Sequence, residues 1–197
     1  MRITLIGAGR IGSLHARLLA ATPGIDQLIV ADVDSARARE VAAAVGAEAI
    51  DSIPDAIRAA DAVVIAAATT AHAELIVASV DAGRPTFCEK PLAEDLGHTL
   101  SVAAHIEASG VPFQLGFQRR FDAAYREARR LVATGELGTL YAMRMAGHDP
   151  EPPHESYIPQ SGGLFRDFSI HDFDVLRYLT GREVVEVYAD GGVLGFP

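Results

Sequence analysis

Short apolar segments alternate with longer Ala-rich segments of helical spacing along the first 118 residues. The short segments lack polar alternates, as in Val63-Val64-Ile65-Ala66-Ala67. Such strands are typical of a parallel sheet covered by helices on both faces, and the alternation indicates successive βαβ units. The pattern therefore predicts an α/β fold with a doubly wound parallel sheet. Its predicted strands are Ile3–Ile6, Leu28–Ala31, Ala62–Ala67, Thr86–Cys88 and Phe113–Leu115, with helices at about 11–21, 35–45, 71–82 and 94–109.

The pattern changes near residue 119. The later segments are a helix at about 121–134, a strand at Thr139–Ala146, a Pro-rich loop from Asp149 to Gly163, a helix at about 164–180 and a strand at Val184–Tyr188. We predict two domains, residues 1–118 and the start of a second α/β domain at 119–197. Two strands and one helix bury little apolar area, so we expect the second domain to be incomplete.

Composition and charge exclude several classes of partner. Hydrophobic residues make up 49% of the chain and charged residues 22%, and the formal net charge is -9. This acidic balance argues against nucleic acids and anionic membranes, which call for clustered positive charge. The lone Cys88 excludes an intramolecular disulfide, and after Met1-Arg2 the chain runs straight into the apolar segment Ile3-Thr4-Leu5-Ile6, without a charged leader or a hydrophobic targeting segment. We expect a cytoplasmic protein.

The first chemical motif is Gly7-Ala8-Gly9-Arg10-Ile11-Gly12, which follows a buried strand and opens a helix. Glycines in this context allow a tight turn, close approach of a pyrophosphate and close packing of helix on strand. Asp32 lies twenty residues beyond Gly12 at the end of the second predicted strand, where a carboxylate binds a ribose diol and repels a 2′-phosphate. The motif predicts a Rossmann-type domain that prefers NAD, while Arg37 and Arg39 leave some NADP binding open.

The second motif is Cys88-Glu89-Lys90-Pro91, just after a predicted strand. Ligands of doubly wound sheets bind beyond the carboxyl ends of the strands, so this tetrapeptide is expected near the nicotinamide end of a bound cofactor. Lys90 is the only lysine among the 17 Lys and Arg residues of the chain. An ammonium can polarise a hydroxyl and share its proton, which a guanidinium cannot. Lys90 is therefore a candidate catalytic residue, with a solvated loop lysine as the alternative.

A third motif places Asp167 four residues before His171 and Asp174 three residues after it. On one helix these side chains would share a face. An imidazole beside a carboxylate can accept a hydroxyl proton near neutral pH. A structural ion-pair network is an equally good interpretation of this motif alone. Metal binding is a rival, but no further ligand stands at a recognisable spacing, so no metal is predicted.

Together these motifs resemble the Gfo/Idh/MocA oxidoreductases, named after glucose-fructose oxidoreductase, inositol dehydrogenase and a rhizopine-catabolism protein. The resemblance extends over the whole chain and is greatest to inositol 2-dehydrogenases. It is carried by the glycine motif, Thr70-Ala71-His72-Ala73-Glu74, Cys88-Glu89-Lys90-Pro91, Gly116-Phe117-Gln118-Arg119-Arg120 and the segment from Ser161 to Asp174. It implies a second domain with an open, mainly antiparallel sheet, a Lys-Asp-His catalytic set, a longer chain and a homo-oligomer, dimer or tetramer. A protein of these 197 residues alone is expected to bind NAD but to be poorly soluble and nearly inactive.

The predicted function is NAD-dependent oxidation of a secondary alcohol on a cyclic polyol or sugar. An aldose or other sugar as substrate, or a non-catalytic regulator that senses a dinucleotide or sugar, are the alternatives. His72 has a second interpretation as a structural helix-start residue. The predicted catalytic residues are Lys90, Asp167 and His171; the cofactor-binding residues are Gly7, Gly9, Arg10, Ile11, Gly12, Asp32, Ala68, Thr69, His72, Glu89 and Lys90; and the substrate ligands are Arg119, Asp149 and Asp174.

Overall fold

The structure is a computed structural model, and it describes residues 1–148, 151, 153–155 and 157–192. The chain divides into two compact units, Met1–Gly116 and Phe117–Pro197.

The first unit is built on a six-stranded, wholly parallel sheet with the order β3-β2-β1-β4-β5-β6. Strand order reverses between β1 and β4, which is where doubly wound sheets bind their ligands. The predicted doubly wound parallel sheet is confirmed. The strands are β1 (Arg2–Ile6), β2 (Gln27–Ala31), β3 (Glu48–Ala49), β4 (Ala62–Ile65), β5 (Thr86–Glu89) and β6 (Phe113–Gly116).

Helices cover both faces of this sheet. The helices are α1 (Arg10–Ala20), α2 (Ser35–Val45), α3 (Ile53–Ala59), α4 (Thr69–Asp81) and α5 (Leu96–Ser109). On one face Ala16 of α1 and Ala38 of α2 pack with Leu5 and Val64. The opposite face carries a second cluster, with members from α3, α4 and α5. Two cores on opposite faces explain why the strands are apolar at successive positions.

The second unit consists of helices in the residues that the structure describes. They are a 3-10 turn at Gln118–Phe121, α6 (Ala123–Ala133), α7 (Ile158–Ser161), α8 (Leu164–Asp167) and α9 (Ile170–Thr180). The predicted strands at Thr139–Ala146 and Val184–Tyr188 are not formed, and these described segments contain no sheet. A strand needs a neighbour for its backbone N–H and C=O groups. In the described part of the chain no backbone hydrogen bond joins either segment to another, and Tyr141 is 92% exposed and Val185 99% exposed.

The helix predicted at 164–180 is interrupted at Phe168 and Ser169. The backbone N–H groups of both residues donate to the carbonyl of Leu164, each at 3.0 Å. The second of these bonds spans five residues, so the hydrogen-bond ladder slips by one position. Asp167 therefore ends one helix and His171 lies at the start of the next, so the prediction of one continuous helix over these residues is wrong.

None of the helices in the described part of the chain combines the length and apolar character needed to span a bilayer.

Candidate active site

The turn between β1 and α1 needs two of its three motif glycines for internal packing. Gly7 has φ +102°, and a Cβ there would lie 2.5 Å from the backbone of Ala66 in the neighbouring β4–α4 connection. A Cβ on Gly12 would lie 1.9 Å from the carbonyl oxygen of Gly7. These two positions accept only glycine, because backbone cannot move aside as a side chain can.

Gly9 is different, because nothing in the fold requires it. Its backbone is ordinary extended chain, φ -73° and ψ -166°, and a Cβ there would meet no atom within 4 Å. Gly9 is also the N-cap of α1, whose first N–H groups receive no side-chain cap from it. The open space above these N–H groups fits an approaching pyrophosphate, which binds at the positive end of a helix. Arg10 and Ile11, the other predicted phosphate-side residues, form the first turn of the same helix.

Asp32 lies at the carboxyl end of β2 and is 6% exposed. Its carboxylate accepts hydrogen bonds from the backbone N–H groups of Ala8 at 2.6 Å and Asp34 at 2.8 Å, and from the guanidinium of Arg37 at 2.7 Å. Burial alone would raise the pKa of Asp32, but the bonds from Arg37, Ala8 and Asp34 outweigh it and keep the pKa below its ordinary value. A negative charge is thus held beside the glycine turn.

Lys90 follows directly on β5 and is half-buried. It forms a cis peptide bond with Pro91. The preceding Cys88 is fully buried, and burial, with Glu89 adding to it, raises the pKa of its thiol. Cys88 therefore packs as a small apolar residue, without the thiolate character of a nucleophile.

Glu89, next to Lys90, is held by a residue of α1. Its Oε1 lies 2.8 Å from Nε2 of His15, and the ring of His15 packs edge-on against Phe87 with centroids 5.6 Å apart. Its Oε2 lies beside Gly116, where an added Cβ would approach to 3.0 Å. The carboxylate of Glu89 therefore occupies a slot formed by α1 and β6.

His72 lies in the first turns of α4 and is buried. Its Nδ1 lies 2.7 Å from the carbonyl oxygen of Pro91, and its Nε2 lies 3.2 Å from that of Ala67. These contacts favour the structural interpretation of His72. Ala68 is exposed at the N-cap of α4 and Thr69 is half-buried in its first turn, so both remain candidates for contact with a cofactor.

Asp167 and His171 belong to the second unit, and both are half-buried. Asp167 ends α8, and its Oδ1 accepts a hydrogen bond of 2.9 Å from the hydroxyl of Tyr157. His171 lies in the first turn of α9. Their catalytic roles stay predictions.

The predicted substrate ligands have very different surroundings. Asp174 is buried, and both of its carboxylate oxygens are bound by the guanidinium of Arg120 at 2.5 to 3.0 Å. Arg119 donates to Asp172 at 2.5 Å. The pair with Arg120 favours a structural role for Asp174, and Arg119 already uses part of its guanidinium to bind Asp172. Substrate contact by Asp174 or Arg119 stays a prediction. Asp149 lies outside the described residues.

Three partners of the site were missed by the sequence analysis: His15 beside Glu89, Arg37 on Asp32 and Tyr157 on Asp167. The sequence indicates Arg37 only as a group favouring NADP. His15 could have been suspected from its position one turn after Gly12 on the helix of the glycine motif. Tyr157 is ten residues from Asp167 across a Pro-rich loop, and no local spacing connects them.

Comparison with known proteins supplies the deciding observation. Residues 1–117 match the GFO_IDH_MocA family, described as an oxidoreductase family with an NAD-binding Rossmann fold, and residues 125–195 match the GFO/IDH/MocA C-terminal domain. The chain belongs to this family. The predicted resemblance is thus confirmed, and the first unit is an NAD-binding Rossmann domain.

Several relatives that match nearly the whole chain are named as inositol dehydrogenases. Myo-inositol dehydrogenase Hyg17 of Streptomyces leeuwenhoekii is 42% identical over 100% of this chain and 61% of its own length. Myo-inositol 2-dehydrogenase of Thermotoga maritima is 38% identical over 98% of this chain and 59% of its own. The chain thus spans about three fifths of the length of these relatives.

A solved structure extends the comparison to bound ligands. The scyllo-inositol dehydrogenase of Lactobacillus casei, crystallised with NAD(H) and scyllo-inositol, matches 93% of this chain and 57% of its own with a TM-score of 0.84 and 33% identity.

Proposed function

We propose that this protein is an NAD-dependent dehydrogenase that oxidises a secondary alcohol of a cyclic polyol, with inositols as the first candidates. The relatives named above support the substrate class. The open space at Gly9, with the buried carboxylate of Asp32 beside it, supports the cofactor.

On the cofactor side, the N–H groups at the start of α1 would hold the pyrophosphate, with Arg10 and Ile11 in the same turn. Asp32 would accept hydrogen bonds from the adenosine ribose diol and repel a 2′-phosphate. Ala68 and Thr69 would lie toward the nicotinamide. Bound NAD supplies the acceptor for the hydride that leaves the carbinol carbon.

Three side chains would handle the substrate hydroxyl. His171 accepts its proton as general base. Lys90 donates a hydrogen bond to the oxygen as negative charge develops there. Asp167 orients His171 or binds a neighbouring hydroxyl, and Tyr157 holds the Asp167 carboxylate in place through the 2.9 Å hydrogen bond. The proton and the hydride thus leave the same CH–OH group by separate routes.

Recognition of the remaining hydroxyls would need several directional donors and acceptors. Arg119, Asp149 and Asp174 are the proposed ligands, with Asp174 the weakest because Arg120 already binds both of its oxygens. The second domain is proposed to continue into the open, mainly antiparallel sheet implied by the family.

The observation that carries the proposal is the single lysine at the carboxyl end of β5, in a chain similar throughout to inositol dehydrogenases. The test follows NADH formation by the whole protein from a panel of inositols and aldoses, with NADP in parallel. We expect reduction of NAD with at least one inositol. Turnover of aldoses alone would change the substrate, and no reduction with any polyol or sugar would support the sensing regulator instead.

A further inference from the structure

Lys90 is flanked by two residues that are each held by a histidine from a different helix. Glu89, before it, contacts His15 of α1 at 2.8 Å, and Pro91, after it, contacts His72 of α4 at 2.7 Å. Helices α1 and α4 follow β1 and β4, the strands on either side of the point where strand order reverses. The two contacts therefore join Lys90 to both helices that open at this crevice.

The alternation of side chains along β5 explains how the contacts come from opposite faces. Phe87 packs against the cluster that contains residues of α1 and α2, whereas Cys88 belongs to the cluster on the α4 face. Glu89, two residues after Phe87, points to the same face as Phe87. Its carboxylate consequently meets α1, while the loop after Lys90 turns toward α4.

The Glu89 side chain has little room to move. His15 and Glu89 are only 21% and 23% exposed. Gly116, which pairs with Glu89 across β5 and β6, leaves just enough space for the second carboxylate oxygen. On the other side, His72 is 1% exposed. Its ring lies between the carbonyl oxygen of Pro91, in the loop after β5, and that of Ala67, just after β4, and the contact of Nδ1 with Pro91 is the shorter of the two.

We propose that His15 and His72 are positioning residues that hold Lys90 in place from the two faces of the sheet, acting through Glu89 and Pro91. The inference rests on the catalytic role proposed for Lys90. Neither histidine needs to touch substrate. The reaction rate depends strongly on the placement of a reacting group, since a displacement of about 1 Å can lower the rate about 100-fold.

The test uses two variants of similar size at the more accessible histidine. His15→Gln keeps an N–H donor near the position of Nε2, whereas His15→Met has no donor. His105→Met is the matched control, because Nε2 of His105 also lies 2.8 Å from a carboxylate, that of Asp81, but on the outer surface of α4 and α5. The variants are measured in the whole protein for kcat, KM and the Kd of NAD.

We expect His15→Met to lower kcat by about tenfold or more while the Kd of NAD stays within about threefold. His15→Gln should recover most of the rate, and His105→Met should match the wild type. Equal rates for His15→Met and His15→Gln would overturn the proposal, as would a loss of NAD affinity in His15→Met that accounts for its loss of rate.

A second readout does not depend on turnover. Lysine labelled at its ε-carbon gives an NMR signal for Lys90, which is assigned by its loss from the spectrum of Lys90→Arg. That signal should move in His15→Met and remain near its wild-type position in His15→Gln and His105→Met. An unmoved signal in His15→Met would also overturn the proposal.

The catalytic role of Lys90 and the positioning role of the histidines can be tested separately. If Lys90→Arg retains normal turnover, the proposed role of Lys90 is wrong whatever the histidine variants do. If Lys90→Arg loses turnover but His15→Met does not, the catalytic lysine stands and only the positioning role fails.

Discussion

Replacing Gly9 with alanine should separate the cofactor-binding role of the glycine turn from its structural role. The added Cβ would meet no protein atom within 4 Å, and the backbone at Gly9 suits any residue. Alanine restricts the unfolded chain and so stabilises the fold by about 0.4–1 kcal/mol at a compatible site. Alanine is a poorer N-cap than glycine, which costs about 0.5–1 kcal/mol. The free energy of unfolding should thus stay within about 1 kcal/mol of wild type.

The affinity for NAD should fall in the same variant. The methyl group would occupy the space through which a pyrophosphate approaches the N–H groups of α1. We expect the Kd of NAD to rise at least tenfold, which corresponds to about 1.4 kcal/mol. Gly12→Ala provides the contrast, because its Cβ would lie 1.9 Å from the Gly7 oxygen and should destabilise the fold by about 3 kcal/mol or more.

Urea unfolding measures the free energy of unfolding, and isothermal titration calorimetry measures the Kd of NAD, both on the same preparations. Wild-type NAD affinity in a stably folded Gly9→Ala would show that the open space at Gly9 is not the phosphate site. A Gly9→Ala variant as unstable as Gly12→Ala would show that the fold, not a ligand, requires glycine there.

Further predictions concern charge. Asp32→Asn should weaken NAD by about tenfold and relax the bias against NADP, as titration with both would show; an unchanged NAD/NADP ratio would contradict this. Because the folded pKa of Asp32 is lowered, its contribution to stability is complete above the ordinary value of 3.8 and is lost as pH falls through the folded pKa. In Asp32→Asn, the free energy of unfolding measured in urea should therefore change less with pH in this acid range. Lys90→Arg should bind NAD yet lose about 100-fold or more in kcat. Near-normal turnover would support the interpretation of Lys90 as a solvated loop lysine. Arg120→Leu leaves the buried Asp174 without its partner and should destabilise the second unit by about 2 kcal/mol. Arg177→Leu removes an exposed ion pair and should cost under about 1 kcal/mol. Equal midpoints of urea unfolding for the two variants would contradict the structural role of the Arg120–Asp174 pair.

The sequence predicted the first unit well because its strands are buried on both faces and therefore appear as continuous apolar runs. Two elements of the first unit were not predicted. Strand β3 is only two residues long at the sheet edge, and α3 has seven residues with Pro54 near its start, so neither produces a periodic pattern. Where propensity and burial agree along several residues, local sequence is enough.

The parts of the site that depend on distant partners could not be predicted. His15 and Glu89 are 74 residues apart, and only the sheet order brings α1 over the end of β5. In the second unit, the apolar pattern at 164–180 favoured one continuous helix. The slipped hydrogen bond from Ser169 to Leu164 that interrupts it is a packing event without a signal in residue type.

The proposed reaction transfers a hydride from the CH–OH group of a cyclic polyol to NAD on this protein. The most direct measurement uses an inositol that carries deuterium on the oxidised carbon, with mass spectrometry of the reduced cofactor formed by the whole protein. We expect the deuterium to appear in NADH and not in water, and we expect Lys90→Arg to form the same labelled product far more slowly. Deuterium released to water, or no reduced cofactor at all, would overturn the proposed hydride transfer.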